Sequence, residues 1–274
     1  IGAKGVLGQD LIRVFSSPDL HLWDREDVDI TNADQVKEKL VALRPQLIIN
    51  AAAYNAVDDC EKNIETAMNV NGHGPAHVAK VAEDLGAMLV HYSSDYVFDG
   101  RDKRGYTEDA ISDPVSAYGF SKRQGEKGVL ENCQRHYVIR TSRLFGKPAV
   151  SEGAKKSFVD TMLGLAEDRD EFQVVNEEWS NPTYTPDLAQ ETKWLVENKL
   201  PYGIYHVTND GACTWYDLAS EAFALANVDV KLTPVASGAF PRPAKRPAYS
   251  SLINTRLPRL RPWQEALAEY LEAR

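Results

Sequence analysis

Three glycines near the start of the chain restrict its fold more than any other feature. Gly2, Gly5 and Gly8 are spaced three residues apart. In this pattern the first glycine permits a tight turn, the second lets a pyrophosphate approach the main chain, and the third lets the following helix pack closely on a sheet. Apolar residues then recur at helical spacing, at Leu11, Ile12, Val14 and Phe15. The pattern predicts a dinucleotide-binding turn formed by Gly2, Gly5, Val6, Leu7 and Gly8.

A turn of this kind normally follows a central strand, yet only Ile1 stands before Gly2. Strands are typically about 5 to 6 residues long. We therefore expect the intact protein to begin about half a dozen residues earlier with a short apolar strand, so that the first strand of the sheet is truncated here.

Apolar, β-rich runs alternate with amphipathic helical stretches through the first half of the chain. This alternation is typical of a parallel sheet covered by helices on both faces. It predicts an α/β fold with a Rossmann-type doubly wound parallel sheet. The expected strands are residues 21–23, 47–50, 87–92 and 137–140, and the expected helices are residues 33–43, 64–85 and 117–132.

The alternation is less regular after Gly146, and prolines gather between residues 234 and 262. Helices are expected at residues 156–168 and 187–198, with strands at residues 172–175 and 203–208. We interpret residues 1–150 as a dinucleotide-binding domain. Residues 151–274 are interpreted mainly as a smaller C-terminal substrate lobe, interleaved with the last elements of the sheet.

The net charge of −9 and the pI of about 5.2 give no support to nucleic-acid binding. No apolar run approaches the roughly 18 residues of a membrane span, and no secretory signal is visible. Three cysteines and six histidines show no metal-ligand spacing. These features predict a cytoplasmic protein with buried thiols, without a membrane or nucleic-acid partner.

Tyr118 and Lys122 are four residues apart on a predicted helix and so share one face of it. A free tyrosine has a pKa of about 10, and a cation beside it stabilises the phenolate and lowers that pKa. Tyr118 is therefore a candidate general acid toward a carbonyl oxygen, and Lys122 a candidate both for that tuning and for binding a nicotinamide ribose. Ser94, at the end of a predicted strand, is a candidate to hold the carbonyl against Tyr118.

Other residues are candidates for cofactor contacts. Small side chains at Ala51, Ala52 and Ala53 would let a cofactor lie close to the end of a strand. Asp29 and Ile30 could contact the adenine. The dipeptide Asp24-Arg25 is ambiguous, because an acid favours ribose hydroxyls whereas an arginine favours a 2′-phosphate. The choice between NADPH and NADH therefore stays open.

Two charged segments have alternative interpretations. The basic stretch 241–247 fits either a solvated loop or a loop that contacts phosphate. The acidic pair Glu177-Glu178 is more typical of a solvated pair than of a metal site. We expect no metal requirement for chemistry.

The glycine triplet, Asn50-Ala-Ala-Ala53, Ser94 and the Tyr118-Lys122 pair together resemble the extended branch of the short-chain dehydrogenase/reductase family. Within that branch, three longer segments resemble the dTDP-4-dehydrorhamnose reductases, namely residues 50–58, 91–100 and 181–187. The resemblance implies reduction of dTDP-4-dehydrorhamnose to dTDP-L-rhamnose, with a hydride from NADPH or NADH and a proton from Tyr118. The substrate residues that it implies are Val57, Ser94, Asp95, Tyr96, Tyr118, Arg143 and Asn181.

Two residues depart from the pattern of that subfamily. Ser94 stands where threonine is common, which preserves the hydroxyl but leaves its χ1 less restricted. Arg143 stands where rhamnose-forming members often carry tryptophan. Because a charge replaces an apolar stacking surface there, the exact sugar stays open.

Two alternative functions remain at this stage. One is a non-catalytic regulatory subunit resembling the β-subunit of methionine adenosyltransferase, which carries a similar Ser-Ser-Asp-Tyr-Val-Phe-Asp-Gly segment. The other is a sugar-nucleotide epimerase or dehydratase on the same fold. Dehydratases of the branch resemble Thr-Asp-Glu-Val-Tyr at this place, and here Tyr96 occupies the glutamate position. Either a monomer or a homodimer is expected.

Overall fold

A computed structural model describes residues 1–150 and 156–274 of the chain. Its main sheet has four parallel strands in the order β1, β2, β3, β7, and two further pairs, β4 with β6 and β5 with β8, are also parallel. The strands are β1 (Leu47–Asn50), β2 (Met88–Ser94), β3 (His136–Thr141), β4 (Leu144–Phe145), β5 (Glu171–Val175), β6 (Thr183–Tyr184), β7 (Gly203–His206) and β8 (Lys231–Val235).

Ten α-helices lie in the described part of the chain. They are α1 (Val6–Val14), α2 (Ala33–Leu43), α3 (Val57–Cys60), α4 (Ile64–Ala67), α5 (Gly74–Leu85), α6 (Ala117–Asn132), α7 (Phe158–Leu165), α8 (Thr185–Glu197), α9 (Trp215–Leu225) and α10 (Trp263–Glu272). A π-helical turn joins α4 to α5 over Met68–His73, and short 3₁₀ turns occur at Asp95–Val97 and Ser237–Ala239.

Helices cover both faces of the main sheet, which confirms the doubly wound α/β fold. Side chains alternate along a strand, so Leu89 and Val90 enter different cores. Leu89 packs with residues of α2 and α5, whereas Val90 packs with residues of α1 and α8. β2 and β3 are buried along almost their whole length, as expected for central strands of a parallel sheet.

Local signals explain where several helices begin and end. The Asn32 side chain accepts the amide N–H of Gln35 and caps α2, and Gly86 ends α5 with a positive φ of 63°. The expected helix over residues 64–85 is interrupted by the π-helical turn. Such turns are rare and often accompany functional sites.

The expected strand at residues 21–23 does not form. Main-chain bonds reach this segment only at Trp23, whose carbonyl accepts the N–H groups of Gly2 and Ala3. Ile1 instead pairs with β1, donating to the Ile49 carbonyl and accepting from the Ala51 N–H. Two bonds to one carbonyl do not make a ladder, so the segment stays irregular.

The second half of the chain contributes to both parts of the fold. α8 packs against α1 and β7 pairs with β3, so the main sheet is completed by late elements. α7, α9, α10 and β5 enclose a separate apolar core that includes Phe145, Leu218 and Leu267. The start of the expected lobe, at residues 151–155, lies outside the described residues, and the division into 1–150 and 151–274 stays a prediction. No helix of the described chain has the length and apolarity needed to cross a bilayer.

Candidate active site

Gly2 and Gly8 lie where the turn before α1 has no room for a side chain. Gly2 has a φ of 83°, and a Cβ placed there would lie 2.8 Å from the Ala52 nitrogen. A Cβ at Gly8 would lie 2.2 Å from the Gly2 carbonyl oxygen, so α1 could not pack this closely on the turn if residue 8 were larger than glycine. Gly5 precedes α1 without a capping side chain. The first amide groups of α1 are therefore open to an anion.

Of the other expected cofactor contacts, only some line the cavity that also contains Tyr118 and Lys122. Ala51 and Ala53 line it, whereas Ala52 packs against the apolar core on one face of the sheet. Asp29 and Ile30 do not line it. The Asp29 carboxylate binds the N–H and hydroxyl of Thr31, and the Ile30 side chain is buried in the core, which explains why neither is presented there.

Asp24 also has local partners. Its carboxylate accepts the main-chain N–H groups of Lys4, in the glycine turn, and of Arg25. The Asp24 side chain thus stabilises the glycine turn through the Lys4 N–H. The sequence did not predict this role for the Asp24-Arg25 dipeptide.

Tyr118 and Lys122 are brought to the cavity by the first turns of α6. The Ser116 side chain accepts the Gly119 N–H and caps this helix. Lys122 is buried, and its ammonium donates to the carbonyl oxygen of Tyr92 on β2 at 2.6 Å. The Tyr118 ring packs edge-on against Tyr96, with the centroids 5.6 Å apart.

Burial dominates the ionisation of this pair. It raises the pKa of Tyr118 above its ordinary value, although interaction with the Ser94 hydroxyl acts in the opposite direction. Burial also lowers the pKa of Lys122 to about 8, opposed in part by Glu126. The expected acidification of Tyr118 by Lys122 is therefore wrong for this structure, because desolvation of the phenolate outweighs it. Tyr118 is a neutral, protonated hydroxyl at physiological pH.

Ser94 lies at the carboxyl end of β2, within a network centred on Asp95. The Ser94 hydroxyl accepts the Tyr96 N–H and donates to Asp95 Oδ1 at 3.0 Å. Asp95 Oδ2 accepts the hydroxyls of Ser180 and Ser250, at 2.8 and 2.6 Å. Burial raises the pKa of the Asp95 carboxyl, and the three serine hydroxyls lower it. The Ser94 hydroxyl thus lies at the cavity wall with contacts to both Asp95 and Tyr118.

Arg143 makes a cation–π contact that the sequence did not predict. Its guanidinium lies 3.9 Å from the ring centroid of Trp215, on α9, and donates to the carbonyls of Cys213 and Glu178 at 2.8 and 2.7 Å. The Trp215 indole N–H in turn donates to Glu178 Oε2 at 3.0 Å. Burial lowers the pKa of Arg143.

Glu178 corrects the expectation of a solvated acidic pair. It is only 3% exposed and forms an ion pair with Arg242, while Glu177 is exposed. Arg246 similarly pairs with Asp58 at 2.8 Å. Two arginines of the basic stretch 241–247 are thus bound to carboxylates, an arrangement that neither interpretation of the stretch included.

Asn181 has a different position from the one implied by the resemblance. Its amide donates to the Gly211 carbonyl at 3.0 Å and accepts the Leu252 N–H at 2.8 Å, so it joins two loops instead of lining the cavity. Val57 and Tyr96 do line the cavity.

Two asparagines that the sequence reading missed support the catalytic candidates. Asn71, fully buried in the π-helical turn, binds both the N–H and the C=O of Tyr54 and donates to the Ser121 hydroxyl. It thereby joins the loop after β1 to α6. Asn55, next in that loop, accepts the Tyr118 hydroxyl at 3.3 Å. A buried amide in a helical segment was the signal available for Asn71.

The glycine turn and the catalytic candidates line one cavity of about 380 Å³. Its walls include Gly2, Gly5 and Gly8 of the turn, the side chains of Ser94, Tyr118 and Lys122, and Arg143 with Trp215 from later segments. A parallel α/β sheet presents its binding crevice at the carboxyl ends of its strands. The cavity lies there, because its walls include Ala51, Ser94 and Thr141, at or just after the ends of β1, β2 and β3. No group of three or more His, Cys, Asp or Glu side chains that could hold a metal occurs within residues 1–150 and 156–274.

Comparison with known proteins agrees with this geometry. Residues 1–274 match the family described as RmlD substrate binding domain. The chain belongs to this family. The resemblance drawn from the motifs is therefore confirmed. A dTDP-4-dehydrorhamnose reductase of Streptomyces griseus is 38% identical to this chain over 285 residues, which cover 99% of this chain and 92% of that protein.

Solved structures show the same relationship. The crystal structure of a Bacillus anthracis dTDP-4-dehydrorhamnose reductase in complex with NADP has a TM-score of 0.93 and 36% identity, covering 100% of this chain and 97% of that one. A Thermus thermophilus UDP-glucose 4-epimerase in complex with NAD has a TM-score of 0.76 and 16% identity, covering 99% and 96%. The first is similar to this chain in sequence and in fold, whereas the second shares the fold alone.

Proposed function

We propose that this chain is an NADPH- or NADH-dependent oxidoreductase that reduces the 4-keto group of a dTDP-4-keto-6-deoxy sugar, most specifically dTDP-4-dehydrorhamnose to dTDP-L-rhamnose. The observation that carries the proposal is the single cavity lined by both the glycine turn and the Ser94, Tyr118 and Lys122 side chains. A nucleotide-binding turn and a proton donor in one cleft suit a reduction. The names of the RmlD relatives give the substrate class.

The residues present fit a dinucleotide. The close approach of Gly2 and Gly8 to neighbouring main chain leaves the first turn of α1 bare, and its amide groups and dipole favour a pyrophosphate. Lys122, with a pKa of about 8, carries a positive charge in most molecules at neutral pH and suits a ribose hydroxyl. When bound, the reduced nicotinamide supplies the hydride.

Tyr118 is the proposed proton donor. Its raised pKa keeps the hydroxyl protonated in the resting protein, which is the form needed to protonate an oxygen that gains negative charge. Lys122, one helical turn further on, offsets the charge that the phenolate acquires after the transfer. Ser94 and Asp95 fix the wall beside Tyr118, and we propose that Val57, Tyr96 and Arg143 contact the sugar.

A direct assay tests this proposal. Purified protein is mixed with each of several 4-keto-6-deoxy sugar nucleotides, with NADPH and with NADH, and consumption of the reduced nicotinamide is followed by absorbance. The product's stereochemistry is then determined by NMR. We expect turnover with at least one dTDP-linked substrate and a 6-deoxy product reduced at C4.

The alternatives give different results in the same assay. An epimerase would convert substrate without net consumption of NAD(P)H. A regulatory subunit would consume none with any substrate and would co-purify with a partner enzyme. Cytoplasmic location and a monomeric or homodimeric state remain predictions from the sequence.

A further inference from the structure

Asn55 lies beside the proposed proton donor, in the loop that follows β1. Its side chain is exposed, lines the cavity, and contributes the amide oxygen that accepts the Tyr118 hydroxyl. The O–H···O distance of 3.3 Å exceeds the usual 2.7–2.8 Å of such bonds. A long bond orients a hydroxyl but yields readily to a better acceptor.

The loop that carries Asn55 is fixed relative to α6. The Asn71 side chain accepts the Tyr54 N–H at 2.8 Å and donates to the Tyr54 carbonyl at 3.0 Å. It also donates to the Ser121 hydroxyl of α6 at 3.0 Å. Ser121 in turn donates to the main-chain carbonyl of Tyr118 at 2.7 Å. The residue before Asn55 and the main chain of Tyr118 are thus parts of one buried hydrogen-bond network. Hydrogen bonds therefore fix the main chain beside Asn55 and the main chain of Tyr118 relative to each other.

We propose that Asn55 is a positioning residue for Tyr118. In the resting protein its amide oxygen directs the Tyr118 O–H into the cavity, and the keto oxygen of the substrate replaces it as acceptor. The proposal rests on the proposed function, because it assumes that Tyr118 donates its proton. Ionisable groups that face Tyr118 are Cys60, Asp95 and Tyr96, with Lys122 one turn along its own helix.

The test compares Asn55→Ala and Asn55→Asp with Asn198→Ala. Asn198 is also exposed and donates one side-chain hydrogen bond, to the Trp194 carbonyl at the end of α8. Exposed substitutions change stability little, so all three variants should melt near the wild-type Tm. We expect Asn55→Ala to lower kcat/KM about tenfold, because the Tyr118 hydroxyl is then no longer directed into the cavity before the substrate binds, with the Kd for NADPH unchanged. Asn198→Ala should keep wild-type kinetics.

Asn55→Asp supplies a signature that a structural role would not. A carboxylate at this position binds the Tyr118 hydroxyl more strongly and makes it a poorer acid. Its kcat/KM should fall further than that of Asn55→Ala at neutral pH and recover as pH falls toward the carboxyl's pKa. In an active enzyme, a wild-type kcat/KM in Asn55→Ala, or an unchanged pH profile in Asn55→Asp, would overturn the proposal.

A second measurement is independent of turnover. In protein labelled with [¹³Cζ]tyrosine, the Tyr118 resonance is identified by its loss in Tyr118→Phe. It should move in both Asn55 variants and stay fixed in Asn198→Ala, even if no substrate is turned over. An unmoved resonance would refute the contact itself, whereas an inactive wild-type protein with a shifted resonance would refute only the proposed function.

Discussion

The third glycine of the turn offers a demanding test of how the cofactor site is built. A Cβ at Gly8 would lie 2.2 Å from the Gly2 carbonyl oxygen and 2.7 Å from that of Ala3, whereas ordinary contact begins at 3.4 Å. Gly8→Ala must therefore separate α1 from the turn by about 1.2 Å. Both obstructing atoms are main chain, so no side-chain rotation can relieve the overlap.

The cost should appear mainly in function. Overpacking costs about 1–3 kcal/mol, and the better helix propensity of alanine returns about 1 kcal/mol, so the net loss of unfolding free energy should be about 0–2 kcal/mol. A displacement of about 1 Å can reduce catalysis about 100-fold. We expect kcat/KM of Gly8→Ala to fall by about that factor, with weaker NADPH binding.

Gly164→Ala is the matched control. Gly164 lies within α7, and a Cβ there would meet no atom within 4 Å apart from its chain neighbours and the backbone of its own helix. The free energy of unfolding of this variant should rise by about 0.5–1 kcal/mol, and its cofactor affinity should equal that of the wild type. Stability is measured by urea unfolding and affinity by NADPH fluorescence titration. The reasoning would be refuted if Gly8→Ala bound NADPH as tightly as Gly164→Ala does.

Three further outcomes are expected. Tyr118→Phe should abolish turnover and leave the Kd for NADPH within about twofold, because it removes the proton donor and little else; substantial residual kcat would reassign the acid. NADPH affinity should decline as pH rises through about 8, where Lys122 loses its proton, and a titration of Lys122→Arg should show no such decline. Burial lowers the pKa of His206 to about 3, below its ordinary 6.5. Since the unfolded chain takes up that proton first, stability should fall as pH drops from about 6.5 toward 3, and urea unfolding of His206→Gln should show a shallower decline.

The parts of the site that the sequence predicted depend on local geometry. Gly2 and Gly8 occupy positions in the turn that larger residues cannot enter. Helical periodicity put Tyr118 and Lys122 on one face, and the parallel sheet brought the ends of β1 and β2 to the same crevice. These features need no knowledge of distant partners.

The parts that were missed depend on partners far away in sequence. Asn181 binds the Leu252 N–H across 71 positions, and Glu178 binds Arg242 across 64. A motif names an asparagine or a glutamate but not which of many donors its side chain will meet. The ionisation of Tyr118 was misjudged for a related reason, since burial is set by the whole fold rather than by a cation four residues away.

Arg143 shows how such a distant partner changes a functional argument. The sequence indicated that a charge replaces an aromatic stacking surface at this position. In the structure, Trp215 of α9 supplies an indole beneath the guanidinium, so the cavity wall carries both an aromatic ring and a cation. Two carbonyls bind the guanidinium at its Nη atoms and hold it against the indole. Sugar selectivity in this chain should therefore depend on a residue after β3 and a helix of the second half acting together, so neither segment alone specifies the substrate.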